Sequence, residues 1–464
     1  MKPGSFRHSA GRIVPLAWPV LVGQVSVLAF GTVDTVLVAR HSTADLAALA
    51  VGGAAYITVF IGLMGIVLAL SPIVGHLYGA KRLPEAGAQL HQAIWLALGL
   101  SLLGSSLLAF PAPFLALSHA SPDVAAKVRG YLLALALALP ASLLFTAFRA
   151  FNTAVSRPKA VMALQLATLG LKVPLSMALV FGIPSAGVPT LGVVGCGVAT
   201  AISMWIQVAA SLMLLRHDAF YTQFNLSRLR RLHAPHRASL LALLKLGVPI
   251  GGSVLIEVSA FSFMAIFIAR LGTTPVAGHQ LAMNLVSLLF MVPMALSNAC
   301  LTLVAQSLGA RDLRGARRLA WHGWQFTFGV ALVLGLAIYL AREPVLHLYT
   351  DNPAVIAAAL PLLTWLALFH PADAMQTFAA FVLRAWRIVT LPMVIYAVAL
   401  WGAGLGGGYL LAFAPFGDPP LALRGAVGFW TASTAGLLMA SVGLSLLLFW
   451  VLRQSKRDEL AGQA

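Results

Sequence analysis

Long apolar stretches alternate with short polar segments along almost the whole chain. A hydrophobic run of about 20 residues is long enough to cross a bilayer as a helix, because lipid offers no partner for unpaired backbone groups. Twelve such runs are present, and they predict an all-α polytopic membrane protein with twelve spans. The runs cover approximately residues 13–38, 46–74, 92–117, 131–151, 160–182, 190–215, 240–269, 278–306, 319–341, 354–380, 388–414 and 424–452.

The composition excludes a soluble globular protein. Of the 464 residues, 60% are hydrophobic and 9% are charged, whereas a soluble chain carries about 25% charged residues. The net charge is +17, but the basic residues lie between apolar runs and do not cluster on one polar face, as they do in a nucleic-acid-binding protein. We therefore expect the chain to lie in a lipid bilayer and to have no nucleic-acid partner.

The cysteines and the N-terminal segment add little to this picture. Cys196 and Cys300 both lie inside apolar runs, and we expect them to be small buried residues without a disulfide. The first run is too long for the apolar region of a signal peptide, and no small-residue cleavage site precedes Asp34. The first run is therefore expected to be retained as a span.

The basic residues orient the predicted spans. Lysine and arginine are retained on the cytoplasmic side of a membrane. With a cytoplasmic N-terminus, the inner segments hold 23 of the 30 basic residues and the outer segments hold six. A single miscounted span would reverse every later loop and remove this asymmetry, so we predict that both termini are cytoplasmic.

The two halves of the chain resemble each other. Aligning Pro249 with Pro19 places Gly309-Ala310 opposite Gly79-Ala80 without a gap, and a basic residue follows in each copy. Apolar segments also resemble each other by chance, but a gapless register that ends in the same turn favours a duplication. Six spans per copy give both copies the same orientation, and parallel repeats of this kind are a transporter architecture. The predicted divisions are an N-lobe at 1–215, a basic cytoplasmic linker at 216–239, a C-lobe at 240–452 and a cytoplasmic tail at 453–464.

Three of the thirteen acidic residues are the main functional candidates. The other ten fall in loops, near span ends or in the tail, where we expect water to solvate them. Asp34, Glu257 and Asp373 lie inside the first, seventh and tenth apolar runs. An acid at the centre of a spanning helix costs about 2.5–3.5 kcal/mol, so these carboxylates indicate a function. The alternative is a structural role, such as pairing of Asp34 with Lys172 in the fifth run.

Different cations compete for carboxylates in an apolar cavity. A proton, a sodium ion and an organic cation are all stabilised by the same negative charge. If inward-facing and outward-facing states expose the same carboxylates, a cation entering from outside displaces a bound cationic substrate, which is antiport. The residues thus predict a proton or cation site at Glu257, Asp373 and Asp34, with no catalytic residue and no cofactor besides the coupling ion, Na+ or H+. A metal ion is expected at Glu257 and Asp373 only if the coupling ion is Na+.

Uncharged residues in the spans are weaker candidates for a substrate cavity. Each has packing between helices as its alternative role. His279 is a lone histidine, and we expect it to pack rather than to relay protons. The cavity candidates are Gln24, Gln280, Asn284, Phe261 and Met264.

Several short motifs occur in a recognisable order across nearly the whole chain. They are Val33-Asp34-Thr35, residues 44–52, residues 149–159, Ile256-Glu257-Val258, residues 276–284, Gly309-Ala310 and Asp373. In this order they resemble the multidrug and toxic compound extrusion (MATE) family, and its bacterial NorM-like branch in particular.

The resemblance implies a two-lobe antiporter of the bacterial inner membrane. Such a protein exports cationic, amphipathic organic compounds in exchange for Na+ or H+ by alternating access, and we expect it to act as a monomer. Glu257 and Asp373 then match the cation-binding carboxylates of the C-lobe, and Asp34 matches the acid of the N-lobe. Related sequences tend to carry an amide where this chain has Lys172. We therefore hypothesise that Asp34 is held by Lys172, or exchanges a proton with it, and that coupling relies on Glu257 and Asp373.

Other classes of membrane protein fit the residues less well. A major-facilitator transporter also has twelve spans, and residues 75–82 imitate the glycines and bases of its loop motif but lack the aspartate. A flippase for lipid-linked sugars would tend to carry cationic residues in its cavity to meet phosphate. A polytopic membrane enzyme would need paired acids or a His-Asp group at a membrane face, so we do not expect an enzyme.

Overall fold

The structure is a computed structural model that describes residues 5–112, 114–115, 121–226, 233–413, 420 and 423–461. Twelve helices in this part of the chain are long and apolar enough to cross a membrane, which confirms the prediction from the hydrophobic pattern. Within the described ranges the only extended pairing is an isolated bridge between Ile183 and Val188. The spans are Phe6–His41, Thr43–Gly79, Leu83–Ala109, Pro122–Ala154, Pro158–Phe181, Val193–His217, Arg237–Ala269, Thr273–Gly309, Leu313–Tyr349, Pro353–Ala385, Thr390–Phe413 and Ala426–Arg457.

Two spans depart from a continuous α-helix. The second span consists of Thr43–Val67 and Leu70–Gly79, with a break between them. The eleventh span contains a π-helical segment, Ala397–Gly406, between two short α-helical segments. Long π-helical segments are rare, and π-helical turns are frequent at functional sites. Neither departure is visible in the hydropathy of the sequence.

The helix-to-helix turns reproduce the repeat as backbone geometry. Lys81 and Arg311, which the alignment places opposite each other, have φ values of 58° and 60°. In both turns the N–H of the following residue donates to a carbonyl oxygen five residues earlier, at 2.9 Å, the bond that defines a Schellman helix end. Ser156 and Arg387 have φ values of 61° and 58° after the fourth and tenth spans. The two halves therefore repeat in structure as well as in sequence.

The helices group into two compact units. The N-unit comprises Val22–Gly251, and the C-unit comprises Met1–Leu21 together with Gly252–Ala464. The first and seventh spans each change from one unit to the other, and Pro19 and Pro249 lie just before these changes. The lobe boundaries predicted from the sequence divide the chain at the linker instead, and they stay predictions.

Each unit is built around one enclosed helix. In the N-unit the fourth span is the most enclosed of the twelve and packs against the second, third and sixth spans. In the C-unit the tenth span packs against the eighth, ninth and twelfth. Phe369 and Phe378 of the tenth span belong to the buried core of the C-unit, as do Ile13 and Ala17 of the first span. The tenth span, which carries Asp373, is thus held on several sides.

The segment after the sixth span folds back onto the N-unit. A 3₁₀ helix, Ala219–Phe224, buries Tyr221 and Phe224. Asp218 caps this helix by accepting a hydrogen bond from the Phe220 N–H at 2.9 Å, and it also accepts one from Arg157. The Phe220 N–H and the Arg157 guanidinium lower the pKa of the Asp218 carboxyl below its ordinary value of 3.8. An acid expected in water is therefore fixed in a local structure.

The remainder of the predicted linker is only partly described. Residues 227–232, which include Arg228, Arg230 and Arg231, lie outside the described residues. After them, His233 and Ala234 lie against the third span, where Gln92 donates to the Ala234 carbonyl oxygen at 3.0 Å. The basic linker therefore stays a prediction.

Candidate functional site

The C-unit brings two of the predicted acids into one cluster. Asp373 and Gln376 are one helical turn apart on the tenth span and share a face of it. The amide Nε2 of Gln376 donates to Glu257 Oε1 of the seventh span at 2.7 Å and to Asp373 Oδ1 at 3.0 Å. A single amide nitrogen therefore bridges the two carboxylates.

The cluster lies in the interior of the C-unit. Asp373 is 4% exposed and Gln376 is 0% exposed, while Glu257 is half-buried. The Gln376 Nε2 also lies 3.1 Å from Thr377 Oγ1. On the other side of the amide, Gln376 Oε1 is buried without a hydrogen-bond partner among the described residues.

One fixed positive charge lies near this cluster. Arg384 is buried near the end of the tenth span, and its guanidinium stacks over the Phe381 ring at 4.1 Å. Arg384 interacts electrostatically with Glu257. In the part of the chain that the structure describes, Arg384 forms no direct ion pair with a carboxylate. Two carboxyl groups therefore meet at one amide, and no cationic side chain of the described residues contacts either of them directly.

In the N-unit the buried acid, Asp34, is paired with a lysine. Lys172, which is 1% exposed, places its Nζ 2.6 Å from Asp34 Oδ2 and 2.9 Å from Thr200 Oγ1. The same ammonium lies 5.2 Å from the centre of the Phe30 ring, within cation–π range. Asp34 Oδ1 is buried without a hydrogen-bond partner among the described residues. Asp34 and Lys172 therefore form a buried ion pair, as hypothesised from the sequence.

The uncharged cavity candidates are scattered. Gln24 is half-buried, and Gln280 and Asn284 are exposed. Asn284 Oδ1 accepts a hydrogen bond from the Tyr349 hydroxyl at 3.0 Å. Among the described residues, none of these three amides has a hydrogen bond to Glu257 or Asp373. Their role in a substrate cavity stays a prediction.

The apolar candidates and His279 lie in the core of the C-unit. Met264 is buried, and the Ser433 hydroxyl donates to its sulfur at 3.2 Å. Phe261 packs against Phe369 with the ring centres 5.9 Å apart. His279 is buried, and its Nδ1 accepts a hydrogen bond from the Trp430 indole at 3.2 Å. Met264 has no surface for a ligand in this conformation.

The expectation that Asp45 is solvated is wrong. Asp45, in the first turn of the second span, is 2% exposed. Lys127 Nζ lies 2.9 Å from one of its oxygens, and His41 contacts the other. Gly192, with φ 55°, covers it so closely that a Cβ would lie 2.3 Å from Asp45 Oδ2. The acid is at a span end, but the chain before the sixth span closes over it, which hydropathy does not reveal.

Two functional candidates were missed in the sequence. Gln376 is uncharged and stands in an apolar run, so its hydropathy does not distinguish it from a packing residue. The spacing of Asp373 and Gln376, one helical turn apart, was the available signal. Arg384 follows the end of the tenth apolar run, 354–380, so the pattern predicts it on the cytoplasmic side, whereas it is buried within electrostatic range of Glu257.

Comparison with known proteins places these features in one family. The MatE family model matches residues 19–178 and again residues 249–410. The two matches begin at the prolines that set the register of the internal repeat.

Relatives match over nearly the full length of the chain. A probable multidrug resistance protein NorM from Aromatoleum aromaticum is 43% identical over 97% of this chain and 96% of its own length. Multidrug resistance protein NorM from Vibrio cholerae is 34% identical, covering 98% of each chain. Multidrug resistance protein PmpM from Pseudomonas aeruginosa is 35% identical over 95% of this chain and 91% of its own.

Solved structures share the fold. The eukaryotic MATE transporter AtDTX14 superposes with a TM-score of 0.85 at 19% identity, over 98% of this chain and 99% of its own. The Vibrio cholerae MATE transporter VcmN in its bent form gives a TM-score of 0.83 at 20% identity, over 97% and 98%. With the family model matched in both halves and relatives above 30% identity along the whole chain, this protein belongs to the MatE family of membrane transporters, in its NorM-like branch.

Proposed function

We propose that the chain is a multidrug efflux transporter that exports cationic, amphipathic organic compounds in exchange for a coupling cation, Na+ or H+. The observation that carries this proposal is the cluster of Glu257, Gln376 and Asp373, in which two carboxylates meet around an uncharged amide. The names of the relatives described above, which are multidrug resistance proteins, support the export of drugs.

The charge balance of the cluster supports exchange. When both are ionised, Glu257 and Asp373 carry two negative charges, and the one positive charge nearby is the separated guanidinium of Arg384. A single additional cation is strongly favoured there because the surroundings are apolar. A coupling cation and an organic cation compete for the same charge, so a site that opens to one side at a time releases one when it takes up the other. The same competition lets a cation gradient drive the export of a drug.

The ion pair in the N-unit supports different roles for Asp34 and for the cluster of Glu257 and Asp373. The negative charge of Asp34 is already balanced by the ammonium of Lys172, which is attached to the chain and cannot exchange. Coupling therefore relies on Glu257 and Asp373. A Lys172→Ala variant is expected to alter coupling and the pH profile of transport, because it frees Asp34 to take a cation.

The membrane location follows from the family and the basic residues. The chain is a multi-pass membrane protein with twelve apolar helices. We assign it to the bacterial inner membrane with both termini in the cytoplasm, because most basic residues then lie on the cytoplasmic side. Its partners in this proposal are organic cations and the lipid bilayer, and it works as a monomer. The major-facilitator alternative is wrong, because the chain belongs to the MatE family.

The proposal is tested by transport in reconstituted vesicles. Purified protein is placed in liposomes loaded with a fluorescent organic cation, and either a Na+ gradient or a pH gradient is imposed at constant membrane potential. One of the two gradients is expected to drive efflux. Glu257→Gln and Asp373→Asn are each expected to slow this efflux about tenfold or more, because a lost hydrogen bond or contact to a charged group costs about 1.5–3 kcal/mol.

Matched controls separate the buried acids from surface acids. Glu343→Gln and Asp351→Asn change the same chemical groups at exposed positions, and both are expected to transport normally. If neither gradient drives efflux, or if Glu257→Gln and Asp373→Asn transport like the controls, antiport through this cluster is excluded.

A further inference from the structure

We infer that Gln376 is a ligand of the coupling cation, and that its side-chain amide turns over when the cation enters. The inference deepens the proposed function and rests on it. It assigns the change of state at the site to one uncharged residue between the two carboxylates.

The two hydrogens of the amide point at the two carboxyl groups. An amide nitrogen carries two hydrogens, and those of Gln376 point at Glu257 Oε1, 2.7 Å from the nitrogen, and Asp373 Oδ1, 3.0 Å from it. The NH2 group therefore occupies the place between the two carboxylates that a cation would take. As long as it stays there, a cation cannot contact both carboxylates.

The oxygen of the same amide lacks a partner. Gln376 Oε1 is buried, and no described residue donates to it. A buried acceptor without a partner is unfavourable, so this orientation is held by the hydrogen bonds that the nitrogen makes, chiefly those to the two carboxyl groups. The energy of the site thus depends on the charge of the carboxylates.

A half-turn about the last side-chain bond exchanges the two atoms. The terminal torsion of glutamine has a broad, roughly two-fold preference, and its oxygen and nitrogen have nearly the same size. After the turn, Oε1 faces the carboxylates. Three oxygens without a positive charge between them repel one another, but they form a ligand set for a hard cation such as Na+. A proton carried by either carboxylate is likewise satisfied, because the acid O–H then donates to Oε1.

The two orientations therefore correspond to the two states of the site. With an empty site the NH2 group neutralises part of the repulsion between Glu257 and Asp373, and with an occupied site the carbonyl binds the cation. Neither orientation of the amide suits both the site without a cation and the site with one bound. The amide therefore turns whenever the cation enters or leaves. Thr377 Oγ1 also lies 3.1 Å from the amide nitrogen, where it competes with the two carboxyl groups for the two amide hydrogens.

The test is infrared difference spectroscopy on the whole transporter. Protein carrying isotope-labelled glutamine side chains is reconstituted in lipid, and spectra are compared before and after adding Na+ at constant pH, or acid without Na+. Cation binding is expected to shift the carboxylate bands and, at the same time, to shift one side-chain amide carbonyl band to lower frequency. That amide band is expected to be lost in Gln376→Leu and kept in Gln207→Leu, which changes a buried glutamine of the sixth span.

The outcomes separate this inference from the proposed function. If neither ion shifts a carboxylate band that disappears in Glu257→Gln and Asp373→Asn, the proposed function fails. If the carboxylate bands shift but the wild-type protein shows no amide shift, Gln376 is not a ligand and the inference fails alone. Gln376→Met replaces Gln376→Leu if the latter does not fold. In either variant the half-saturating concentration of the coupling ion is expected to rise about tenfold, whereas an unchanged value counts against the inference.

Discussion

Lys172 and Gln376 stabilise buried carboxyl groups in two different ways. Lys172 supplies a full positive charge 2.6 Å from Asp34 Oδ2, and this charge stays with the chain. Gln376 supplies hydrogen bonds but no net charge to Glu257 and Asp373. In the proposed function the ion pair of Asp34 leaves no charge for a mobile cation to balance, whereas the cluster of Glu257 and Asp373 binds one. The difference between the units lies in this single property of the neighbouring side chain.

Removing Lys172 alone is expected to destabilise the protein strongly. In Lys172→Met the ammonium is lost and Asp34 is left as a buried charge without a partner, which costs about 3–5 kcal/mol. The double variant Asp34→Asn/Lys172→Met removes both charges and is expected to recover most of this loss. The measurement is the free energy of unfolding of the purified protein in detergent micelles.

Lys456→Met provides the matched control, because Lys456 is exposed in the last helix. It is expected to change the free energy of unfolding by less than about 0.5 kcal/mol. A single Lys172→Met variant as stable as this control would show that the ion pair does not hold Asp34.

The charged residues of the two sites are recognisable in the sequence, whereas the neutral residue Gln376 is not. Asp34, Glu257 and Asp373 stand out because an acid in an apolar run is costly, and Lys172 stands out for the same reason. Gln376 costs far less in a spanning helix, so only its position relative to Asp373 and Glu257 reveals it. Asp45 is the opposite case. Its position at a span end predicts exposure to water, but Lys127, His41 and Gly192 enclose it.

At the scale of elements, the turns after the even-numbered spans show how the repeat is encoded. Lys81 and Arg311 adopt a left-handed backbone conformation that glycine adopts without strain. The chain uses basic residues there, although a side chain at positive φ carries a conformational cost. We attribute this choice to the cytoplasmic charge that these turns supply in the proposed orientation.

A pair of substitutions at Lys81 is expected to expose that cost. Lys81→Gly relieves the strain and Lys81→Val increases it, while both remove the same charge. The two variants are therefore expected to differ by about 1–2 kcal/mol in the free energy of unfolding, with the glycine variant more stable. Thermal or denaturant unfolding in detergent measures the difference.

Arg82, next to it in the same turn, provides a comparison at a residue without positive φ. Arg82→Gly is not expected to be more stable than Arg82→Val by a similar margin. Equal stability of the two Lys81 variants would contradict a left-handed conformation at this turn.

The π-helical segment Ala397–Gly406 was not predictable from the apolar pattern, because a change in hydrogen-bond register leaves hydropathy unaltered. It brings the Trp401 indole to the seventh span, where Nε1 donates to the Ile256 carbonyl oxygen at 3.1 Å and lies 3.2 Å from Ser259 Oγ. Ile256 immediately precedes Glu257. The irregular segment therefore contacts the backbone that positions one of the two carboxylates.

At the scale of the molecule, hydropathy predicted the number and order of the spans. All twelve apolar runs correspond to helices. Many of the helices extend beyond the runs, as Leu313–Tyr349 does beyond 319–341, because polar residues at a membrane surface continue a helix. The apolar pattern therefore underestimates the length of these helices, whereas the third run, 92–117, ends later than its helix, Leu83–Ala109.

The proposed orientation is open to a labelling experiment. Single cysteines replace exposed residues on the two predicted sides: Ser185 and Asp351 outside, Arg82 and Lys456 inside. In intact cells a membrane-impermeant maleimide is expected to label Ser185→Cys and Asp351→Cys several-fold more than the other two. All four are expected to react equally after permeabilisation.

The native cysteines make this experiment practical. Cys196 and Cys300 are both buried, so the unsubstituted protein provides the background. Labelling of Arg82→Cys and Lys456→Cys in intact cells, with Ser185→Cys protected, would reverse the assigned orientation.

The first and seventh spans each belong partly to one unit and partly to the other. This determines where the chain can be joined to that of a relative in a chimera. Ile13 and Ala17 pack in the core of the C-unit although they precede every residue of the N-unit. A chimera with a relative joined at the polar linker therefore mixes helix segments of different parentage inside each unit. Junctions after Leu21 and Gly251, two residues beyond Pro19 and Pro249, exchange a whole unit, so these positions, and not the linker, are the natural points for domain grafting.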